Sequence, residues 1–429
     1  MNMNKVKVDN IIVSENRVEV RFSTEGEIAK YFHEEHVFWC EYSIPVKGVQ
    51  ESVAVIPFVS NILPIIWLSD ATLELPSLDA RFYHCIEDIK DGYRNMYPGL
   101  SFRGRIICDN ICEYRECGSS MSSDNNSESA MLFSGGVGAF STLLSCCSEK
   151  PILITVRGAD IKLGDTNGWE IVRNHTMKTA MLFNSSYATI STNFKMFIDY
   201  VELDNWLINA SGDNYWHGFQ HGIGLIGLTA PLSGVLGFNK LYIASTFNNE
   251  QLGQFTCASD PRIDNCVKFT NLDVVHDGCA YSRQEKVDRI VSYAQQTGRY
   301  PVIRVCWMHD GGVNCCRCEK CLRTIFEIYA AGGVPEDYGF GMSENELRHS
   351  RRNMIIYGFS QDLRKKYWDS IQSLFRKKRP VVLPKELEWI YSTDLKHPYR
   401  YPDVFLFNMA RETNRWVLKT YWGLRNRLR

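Results

Sequence analysis

Four cysteines that lie within sixteen residues constrain this chain more than any other feature. They form the string C-x8-C-x2-C-x2-C: Cys306, Cys315, Cys318 and Cys321. The C-x2-C spacing lets two thiolates bind one cation, and four thiolates complete the tetrahedral shell of a structural zinc ion. A closed shell leaves no position for water, so the metal would stabilise the fold without taking part in chemistry. The sequence predicts a zinc knuckle over residues 306–321; the alternative is four buried free thiols.

Residues around these cysteines fit the same interpretation. Cys316 lies between two of the predicted ligands and is expected to point away from the metal. Four basic side chains are placed to offset the double negative charge of a zinc tetrathiolate: Arg304, Arg317, Lys320 and Arg323.

Composition narrows the class of protein. With 429 residues the chain is too long for one ordinary core, so two or three domains are expected. A net charge of −1 favours neither nucleic acid nor a membrane surface as partner. Fifteen cysteines are an odd number and too few for a secreted disulfide scaffold, and the opening segment MNMNKVKVDN lacks the apolar core of a signal peptide. These features predict a cytoplasmic protein.

Residues 1–115 show the alternating pattern of β-strands and are predicted to form a small α+β domain. The expected strands are 6–13, 18–22, 38–44, 53–57 and 103–109, and a helix is expected over 78–97. Residues 116–130 include the serine-rich stretch GSSMSSDNNSES, which predicts a linker or a mobile loop.

From residue 131 strands alternate with helices, which is typical of a parallel sheet. The expected strands are 131–133, 152–156, 188–191, 240–244 and 301–307. The expected helices are 140–147, 169–183, 221–236, 283–295 and 318–331. The predicted fold class is therefore α/β, with a parallel-sheet domain over 131–340 and a helical, basic region over 341–429.

Two further stretches leave alternatives open. The apolar residues 222–238 predict a buried helix in which Gly224, Gly227 and Ala230 allow close packing, because the stretch is shorter than the roughly 20 residues that a membrane helix needs. A re-entrant membrane segment is the alternative. The C-terminal stretch could lie on an acidic partner or a membrane surface, or form a solvated helix face. Its basic and aromatic residues are Arg411, Arg415, Trp416, Lys419, Tyr421, Trp422, Arg425, Arg427 and Arg429.

A glycine turn between a strand and a helix predicts an anion site. The residues are Ser134, Gly135, Gly136, Val137, Gly138 and Ala139. Glycines at such a turn let backbone N–H groups approach a phosphate, and the helix that follows adds the positive end of its dipole. The Gly-Lys-Ser/Thr ending of a Walker loop is missing, and the dinucleotide fingerprint lacks its third glycine. A simple tight turn is the alternative.

The string S-G-G-V at this place resembles the PP-loop of the ATP pyrophosphatases, which reads SGGxDS. The cysteine spacing resembles that of one PP-loop family, the 7-cyano-7-deazaguanine synthases (QueC type), and the two motifs follow each other in that family's order. This resemblance covers roughly residues 130–335. It implies a HUP-like domain that ends in a zinc knuckle, with ATP and Mg²⁺ bound and ATP cleaved between its α and β phosphates.

A looser resemblance concerns the layout of the whole chain. A front domain that contains SFRGRII, residues 101–107, followed by the PP-loop core, is similar to the MurL-type peptidoglycan epimerases. Those enzymes use ATP to activate a terminal glutamyl carboxylate before inverting it.

One departure from the PP-loop pattern is chemically important. Gly138 and Ala139 stand where the family has Asp-Ser, and the family's Asp helps to bind Mg²⁺–pyrophosphate. Either another carboxylate binds the metal or ATP cleavage is impaired. The candidate carboxylates are Asp160, Asp165 and Asp260. The hydroxyl groups expected to contact phosphate belong to Ser134, Ser141 and Thr142.

Polar residues downstream complete the predicted site. His217 and His221 precede the buried helix and are expected to contact substrate or phosphate, or else to cap that helix. Arg262 is predicted to bind a carboxylate or phosphate, and His276 or Asp277 to act as general base. Lys286 stands where PP-loop proteins often carry a phosphate-binding lysine. For each of these residues a surface loop or a helix cap is the alternative.

Together these features predict ATP-dependent adenylation of a small-molecule or peptidyl carboxylate, with release of pyrophosphate. Amide or nitrile formation, or epimerisation, would follow. A nucleotide-binding or partner-binding module without turnover is the alternative, and a redox or sulfur-carrying role for the cysteines is a third. A protein partner is conceivable, but neither a nucleic-acid partner nor an integral membrane segment is expected.

Overall fold

The computed structural model describes residues 4–115, 128–306, 308, 311–379 and 383–409. Most of the predicted linker and the basic, aromatic stretch from residue 411 onward lie outside the described residues. Internal contacts divide the chain into two compact units. The first unit is Met1–Lys286 with Asp310–Gly312, and the second is Val287–His309 with Val313–Arg429.

In the described residues of the first unit, eleven strands form one sheet. They are β1 (Lys5–Val13), β2 (Arg17–Glu25), β3 (Val37–Tyr42), β4 (Thr72–Asp79), β5 (Arg105–Cys112), β6 (Ser129–Leu132), β7 (Ile152–Arg157), β8 (Tyr187–Thr192), β9 (Lys240–Ala244), β10 (Lys268–Phe269) and β11 (Leu272–Asp277). Their order across the sheet is β10-β11-β9-β6-β7-β8-β3-β2-β1-β4-β5.

The strands from β11 through β9, β6 and β7 to β8 are all parallel. The chain passes from β6 outward to β7 and β8, and then returns to the other side of β6 to form β9 and β11. The order therefore reverses between β6 and β9. Ligands of open parallel sheets bind in the crevice at such a reversal, outside the carboxyl ends of the strands.

Residues 1–115 do not form a separate domain, which corrects the prediction. β3 pairs antiparallel with β8, placing Cys40 opposite Thr192, and thereby joins the N-terminal strands to the parallel ones. One apolar core runs from Val6 to Val274. The predicted domain over 131–340 is divided as well, because the units separate after Lys286. Strand patterns in a sequence do not show which edge a strand pairs with, so the continuous sheet was not foreseen.

The first unit contains nine described helices and the start of a tenth. They are α1 (Glu51–Ala54), α2 (Ile56–Leu68), α3 (Ala80–Met96), α4 (Val137–Cys146), α5 (Thr166–Leu182), α6 (Tyr200–Ser211), α7 (His221–Gly227), α8 (Ala230–Leu236), α9 (Pro261–Asp264) and α10 (Arg283–Thr297), which continues into the second unit. A π-helical segment, Trp216–Gln220, leads into α7, and 3-10 turns cover Glu27–Tyr31 and Cys147–Glu149.

Two N-terminal predictions were wrong. The predicted strand 53–57 is helical, because α1 and α2 are buried on nearly every side and so lack the polar face that separates helix from strand in a sequence. The strand β4 was missed, and the helix predicted from residue 78 begins at Ala80. Asp79 ends β4 and caps α3, since its Oδ1 accepts a hydrogen bond from the backbone N–H of Phe82 at 3.0 Å.

The apolar stretch around α7 packs as predicted, although it forms two helices. Gly224 and Gly227 lie so close to Asn61 and Ser60 of α2 that a methyl group at either glycine would collide with them. Among the described residues one helical stretch, Trp216–Leu236, is long and apolar enough to cross a bilayer, but 78% of its apolar window is buried inside the protein. Core helices pass the same test, so no integral membrane segment is indicated.

The described part of the second unit is helical from Glu319 onward. Its helices are α11 (Glu319–Ala330), α12 (Glu344–Arg348), α13 (Ser350–Ile356), α14 (Gln361–Leu363), α15 (Asp369–Lys378) and α16 (Trp389–Ser392), and residues 402–409 are also helical. A π-helical segment covers Arg364–Trp368, and 3-10 turns cover Pro335–Tyr338, Lys385–Leu387 and Pro398–Arg400. α11 is buried along its length, and Phe326 meets the rings of Trp368, Phe375 and Trp389 edge to face.

The predicted strand 301–307 does not form over its described residues. Its backbone groups bond within the second unit instead: the N–H of Ile303 donates to the carbonyl of Tyr338 at 2.9 Å, and that of Val305 donates to the side chain of Asn314 at 3.0 Å. An apolar segment can be buried without joining a sheet when side chains form hydrogen bonds with its backbone N–H and C=O groups.

Candidate functional site

The four predicted ligands come together in the second unit. The sulfur atoms of Cys306, Cys315, Cys318 and Cys321 all lie within 4.8 Å of one another, and those of Cys315 and Cys321 are 3.9 Å apart. A tetrahedral zinc ion with Zn–S bonds of 2.3 Å would separate its sulfurs by about 3.8 Å. Hydrogen bonds from Cys315, Cys318 and Cys321 lower the pKa of the Cys306 thiol. The donor set and its spacing therefore fit a metal ion such as zinc.

Local structure explains this convergence. Cys318 is the N-cap of α11 and Cys321 lies in the first turn, so the helix holds their sulfurs near one point. The N–H of Cys318 donates to the sulfur of Cys315 at 3.4 Å. Asn314 fastens the more distant Cys306, because its Oδ1 accepts from the N–H of Cys306 at 3.3 Å. Its Nδ2 donates to the carbonyl of Ile303 at 2.7 Å.

The neighbours of the cluster only partly follow the prediction. Cys316 is outside the sulfur group, and its backbone has φ = 52°, which turns the chain between the ligands. Arg323 is not free to offset thiolate charge. Its guanidinium pairs with Glu319 at 3.2 Å and lies 3.9 Å from the ring centre of Tyr367.

The glycine turn lies at the reversal of strand order, where β6 ends. Gly135 has φ = 75°, a left-handed conformation that favours glycine, and Gly136 is the N-cap of α4. Ser134 is exposed, and its Oγ accepts from the N–H of Gly136 at 3.3 Å. The first N–H groups of α4 have no partner within the helix, so they and Ser134 form a surface suited to an anion.

Two other loops border this turn. A methyl group at Gly138 would lie 3.4 Å from Cβ of Ala244 and 3.5 Å from the carbonyl oxygen of Ser245, just beyond the end of β9. The buried Lys286 donates from Nζ to Oγ of Ser245 at 2.7 Å and to its carbonyl at 3.0 Å. Gly278, after β11, lies beside the same ammonium group. The fold thus brings the Lys286 side chain close to the turn, and its phosphate-binding role stays a prediction.

Ser141 and Thr142 do not belong to this surface, which corrects their predicted role. Ser141 is fully buried and Thr142 is 1% exposed, so the rest of the protein covers both hydroxyl groups. They lie in the second turn of α4, beyond the end that faces the crevice.

The predicted metal carboxylates have other partners. Asp165 caps α5 by accepting from the N–H of Gly168 at 2.9 Å, and its second oxygen accepts from the N–H of Gly311 at 2.8 Å. These two bonds lower the pKa of Asp165. Among the described residues, the four cysteines alone bring three or more metal-binding side chains together.

Arg262 and Asp260 bind each other. The guanidinium of Arg262 donates twice to the carboxylate of Asp260, at 2.8 Å for each bond, and Asp260 also caps α9. The sequence predicted that Arg262 binds an anionic ligand. In the structure its guanidinium is already bound to Asp260.

His276 is not a free general base. It is buried, and its Nδ1 lies 2.7 Å from the carboxylate of Asp264, which also accepts from Oγ of Ser259 at 2.8 Å. Burial lowers the pKa of His276, but the hydrogen bonds and charges of Asp264 and Cys279 together outweigh it and raise that pKa to about 9. Burial also raises the pKa of the partner Asp264, so the two side chains compete for the proton between them. Within the part of the chain that the structure describes, one buried carboxylate oxygen of Asp277 has no hydrogen-bond partner.

The two remaining predicted histidines lie at the start of α7: His217 is in the π-helical segment before it, and His221 is its first residue. His217 is half-buried and places Nδ1 2.9 Å from Asp213, while His221 places Nδ1 3.8 Å from the sulfur of Cys257. Asp213 also accepts hydrogen bonds from Tyr97 and Thr256. Burial raises the pKa of Asp213, yet the bonds from His217, Thr256 and Tyr97 outweigh it and lower that pKa overall.

Sequence reasoning missed Asp213, Ser245 and Asp264. Asp213 lies in the bend between α6 and the π-helical segment, where the sequence pattern does not show which side chain a carboxylate will meet. Ser245 follows a predicted strand, but nothing in the sequence distinguishes it from other serines.

Comparisons with protein-family models, with curated proteins and with solved structures find no match to this chain.

Proposed function

We propose that this protein binds ATP with Mg²⁺ at the turn after β6 and adenylates a carboxylate, releasing pyrophosphate. One observation carries the proposal: the turn Ser134–Val137 opens α4 where the strand order reverses, with Lys286 beside it. Backbone N–H groups, the helix dipole and an ammonium charge all favour a polyphosphate there. The resemblance of S-G-G-V to the PP-loop supplies the reaction class.

The acyl-adenylate is the proposed intermediate because adenylation turns a poor leaving group into AMP. A nucleophile such as ammonia could then form an amide, from which a nitrile can be made. Alternatively, activation would acidify the neighbouring C–H and permit epimerisation. The zinc cluster would stabilise the second unit and take no part in these steps.

Magnesium needs a carboxylate that the turn itself does not provide. Asp277 is our candidate, because it ends β11 next to β9 and has a buried oxygen that no described residue hydrogen-bonds. Asp165 and Asp260 already serve as helix caps.

Calorimetry with ATP–Mg²⁺ and with an analogue that has a methylene bridge between the α and β phosphates tests binding. An assay for AMP and pyrophosphate with a panel of carboxylates tests turnover. We expect both nucleotides to bind and only ATP to give AMP. Lys286→Met should weaken binding about tenfold or more, since it removes a charge next to the phosphates. Lys47→Met, which removes an exposed lysine, is the matched control. Failure of both nucleotides to bind would overturn the proposal.

A binding module without turnover is the second candidate, favoured by Gly138 and Ala139. Tight ATP binding with no AMP from any carboxylate would support it. The double substitution Gly138→Asp with Ala139→Ser sharpens the distinction, because the space at Gly138 admits a Cβ in ordinary contact with Ala244. If the missing Asp-Ser limits cleavage, the double variant should form AMP at least about tenfold faster than the unaltered protein.

A further inference from the structure

The pair formed by Asp213 and His217 has the arrangement of a base held by a carboxylate. Asp213 accepts hydrogen bonds from the hydroxyl of Tyr97 at 2.8 Å, from Thr256 and from Nδ1 of His217 at 2.9 Å. The Asp213 side chain is only 14% exposed, whereas that of His217 is 39% exposed. The carboxylate is thus fixed by three donors, and the imidazole it orients reaches solvent.

The backbone connects this pair to the end of β9. The carbonyl of His217 accepts from the N–H of Ala258 at 2.8 Å. The preceding residue, Cys257, places its sulfur 3.9 Å from Oγ1 of Thr246. Thr246 follows Ser245, which binds the ammonium group of Lys286 beside the glycine turn. His217 also lies in the π-helical segment Trp216–Gln220, an irregularity frequent at functional sites.

We propose that Asp213 and His217 form the proton-accepting pair of this site. With Nδ1–H donating to Asp213, the lone pair of Nε2 is left for a proton of the bound substrate. Nε2 takes the proton from an N–H or C–H group, and the electrons of the broken bond remain on that nitrogen or carbon. The imidazolium keeps its bond to Asp213 and later releases the new proton to water. Asp213 acts here as a positioning residue.

This inference rests on the proposed function, because attack by an amine and loss of an α-proton both need a base after the carboxylate is activated. His276 is not accessible to a substrate, because its side chain is only 1% exposed and its Nδ1 pairs with the buried Asp264. The pair can be tested without any nucleotide, so its failure is distinguishable from failure of the proposed function.

The probe is diethyl pyrocarbonate, which acylates the free lone pair of a neutral imidazole. Rates at single histidines are measured near neutral pH by mass spectrometry of peptides. His397 and Asp394 form a matched control pair, with Nδ1 3.0 Å from the carboxylate but with the imidazole 72% exposed. We expect Asp213→Asn to slow acylation of His217 at least about threefold, because the amide no longer favours the tautomer with a free Nε2. Asp394→Asn should change the rate at His397 less than about twofold, since water screens that pair.

An unchanged rate at His217 in Asp213→Asn, or equal effects at the two pairs, would overturn the proposal. If Asp213→Asn does not fold, Tyr97→Phe decides, because it removes one of the donors that hold Asp213 and leaves the imidazole untouched. That variant should slow acylation of His217 in the same direction, and an unchanged rate would count against the pair.

Discussion

The cysteine cluster and the crevice at the ends of the strands are built in opposite ways. All four sulfurs come from residues 306–321, and one helix start positions two of them. The crevice instead collects Gly138, Ser245 and Lys286, which are more than forty positions apart in sequence and meet because β9 lies between β6 and β11 in the sheet.

The two sites are therefore expected to be stabilised by different interactions. A cluster of four thiolates within one short segment depends on its metal ion, because without the ion the negative charges repel one another and only a few hydrogen bonds hold the segment. A site made from distant segments depends on the sheet and on buried ion pairs that fasten its loops. Four perturbations separate these two dependences.

The largest loss of stability is expected when one of the four predicted zinc ligands is replaced. Cys321→Ser should abolish stoichiometric zinc binding and unfold much of the second unit, since structural zinc supplies about 10–16 kcal/mol of apparent binding energy in zinc-finger peptides. Metal analysis and thermal melting measure both changes. Cys316→Ser is the control, because Cys316 is buried but outside the sulfur group. A Cys321→Ser protein that kept its zinc and its melting profile would show that the cluster needs only three ligands.

The next effect concerns the buried pair beneath the crevice. Asp264→Ala leaves the buried His276 without its carboxylate and should reduce the free energy of unfolding by about 3–5 kcal/mol. Asp273→Ala is the matched control, because it removes an exposed partner of Arg81 and should cost less than about 1 kcal/mol. Urea unfolding compares the two variants, and equal losses would mean that the buried pair does not stabilise the loops.

A smaller effect follows from the charge on His276. Its pKa is raised to about 9 in the folded protein, above the usual value of about 6.5 for an unfolded chain. The stabilisation is therefore complete below pH 6.5 and is lost as the pH rises towards 9. The loss should be on the order of 3 kcal/mol. His276→Gln should flatten the dependence of stability on pH across that window. The same slope in the variant would assign the effect to other groups.

The smallest effect is expected at the glycine turn. Gly135→Ala places a Cβ in a left-handed conformation with φ = 75° and should cost about 1 kcal/mol. Gly136→Ala is the neighbouring control, since φ = −81° suits any residue. Similar losses of unfolding free energy in the two variants would show that the turn is not held in its left-handed form.

Much of the local structure could be predicted. Periodic patterns correctly placed β1, β2, β3 and β5 and the strands β6 to β9, and they located α3, α4, α5, α10 and α11 to within a few residues. Prediction failed where burial removed the pattern, as in α1 and α2, and where side chains such as Asn314 satisfied the backbone instead of a sheet.

The residues of the candidate nucleotide site likewise divide into those that the sequence predicted and those that it did not. The residues of the turn were named from the sequence because glycines between a strand and a helix have specific uses, whereas Lys286 was named from the resemblance to PP-loop proteins. The partners of two other predicted site residues could not be predicted. Arg262 pairs with Asp260, and His276 pairs with Asp264, and these pairs form only when the chain folds.

The sequence by itself determined the thiolate cluster, the glycine turn and most of the strands, because spacing and periodicity along a chain are local properties. Only the tertiary structure decided that residues 1–115 extend the same sheet, that Ser245 and Lys286 border the turn, and that Asp213 orients His217. The physical reason is that strand pairing and ion pairing join groups far apart in the chain, and their partners are selected by burial when the core forms.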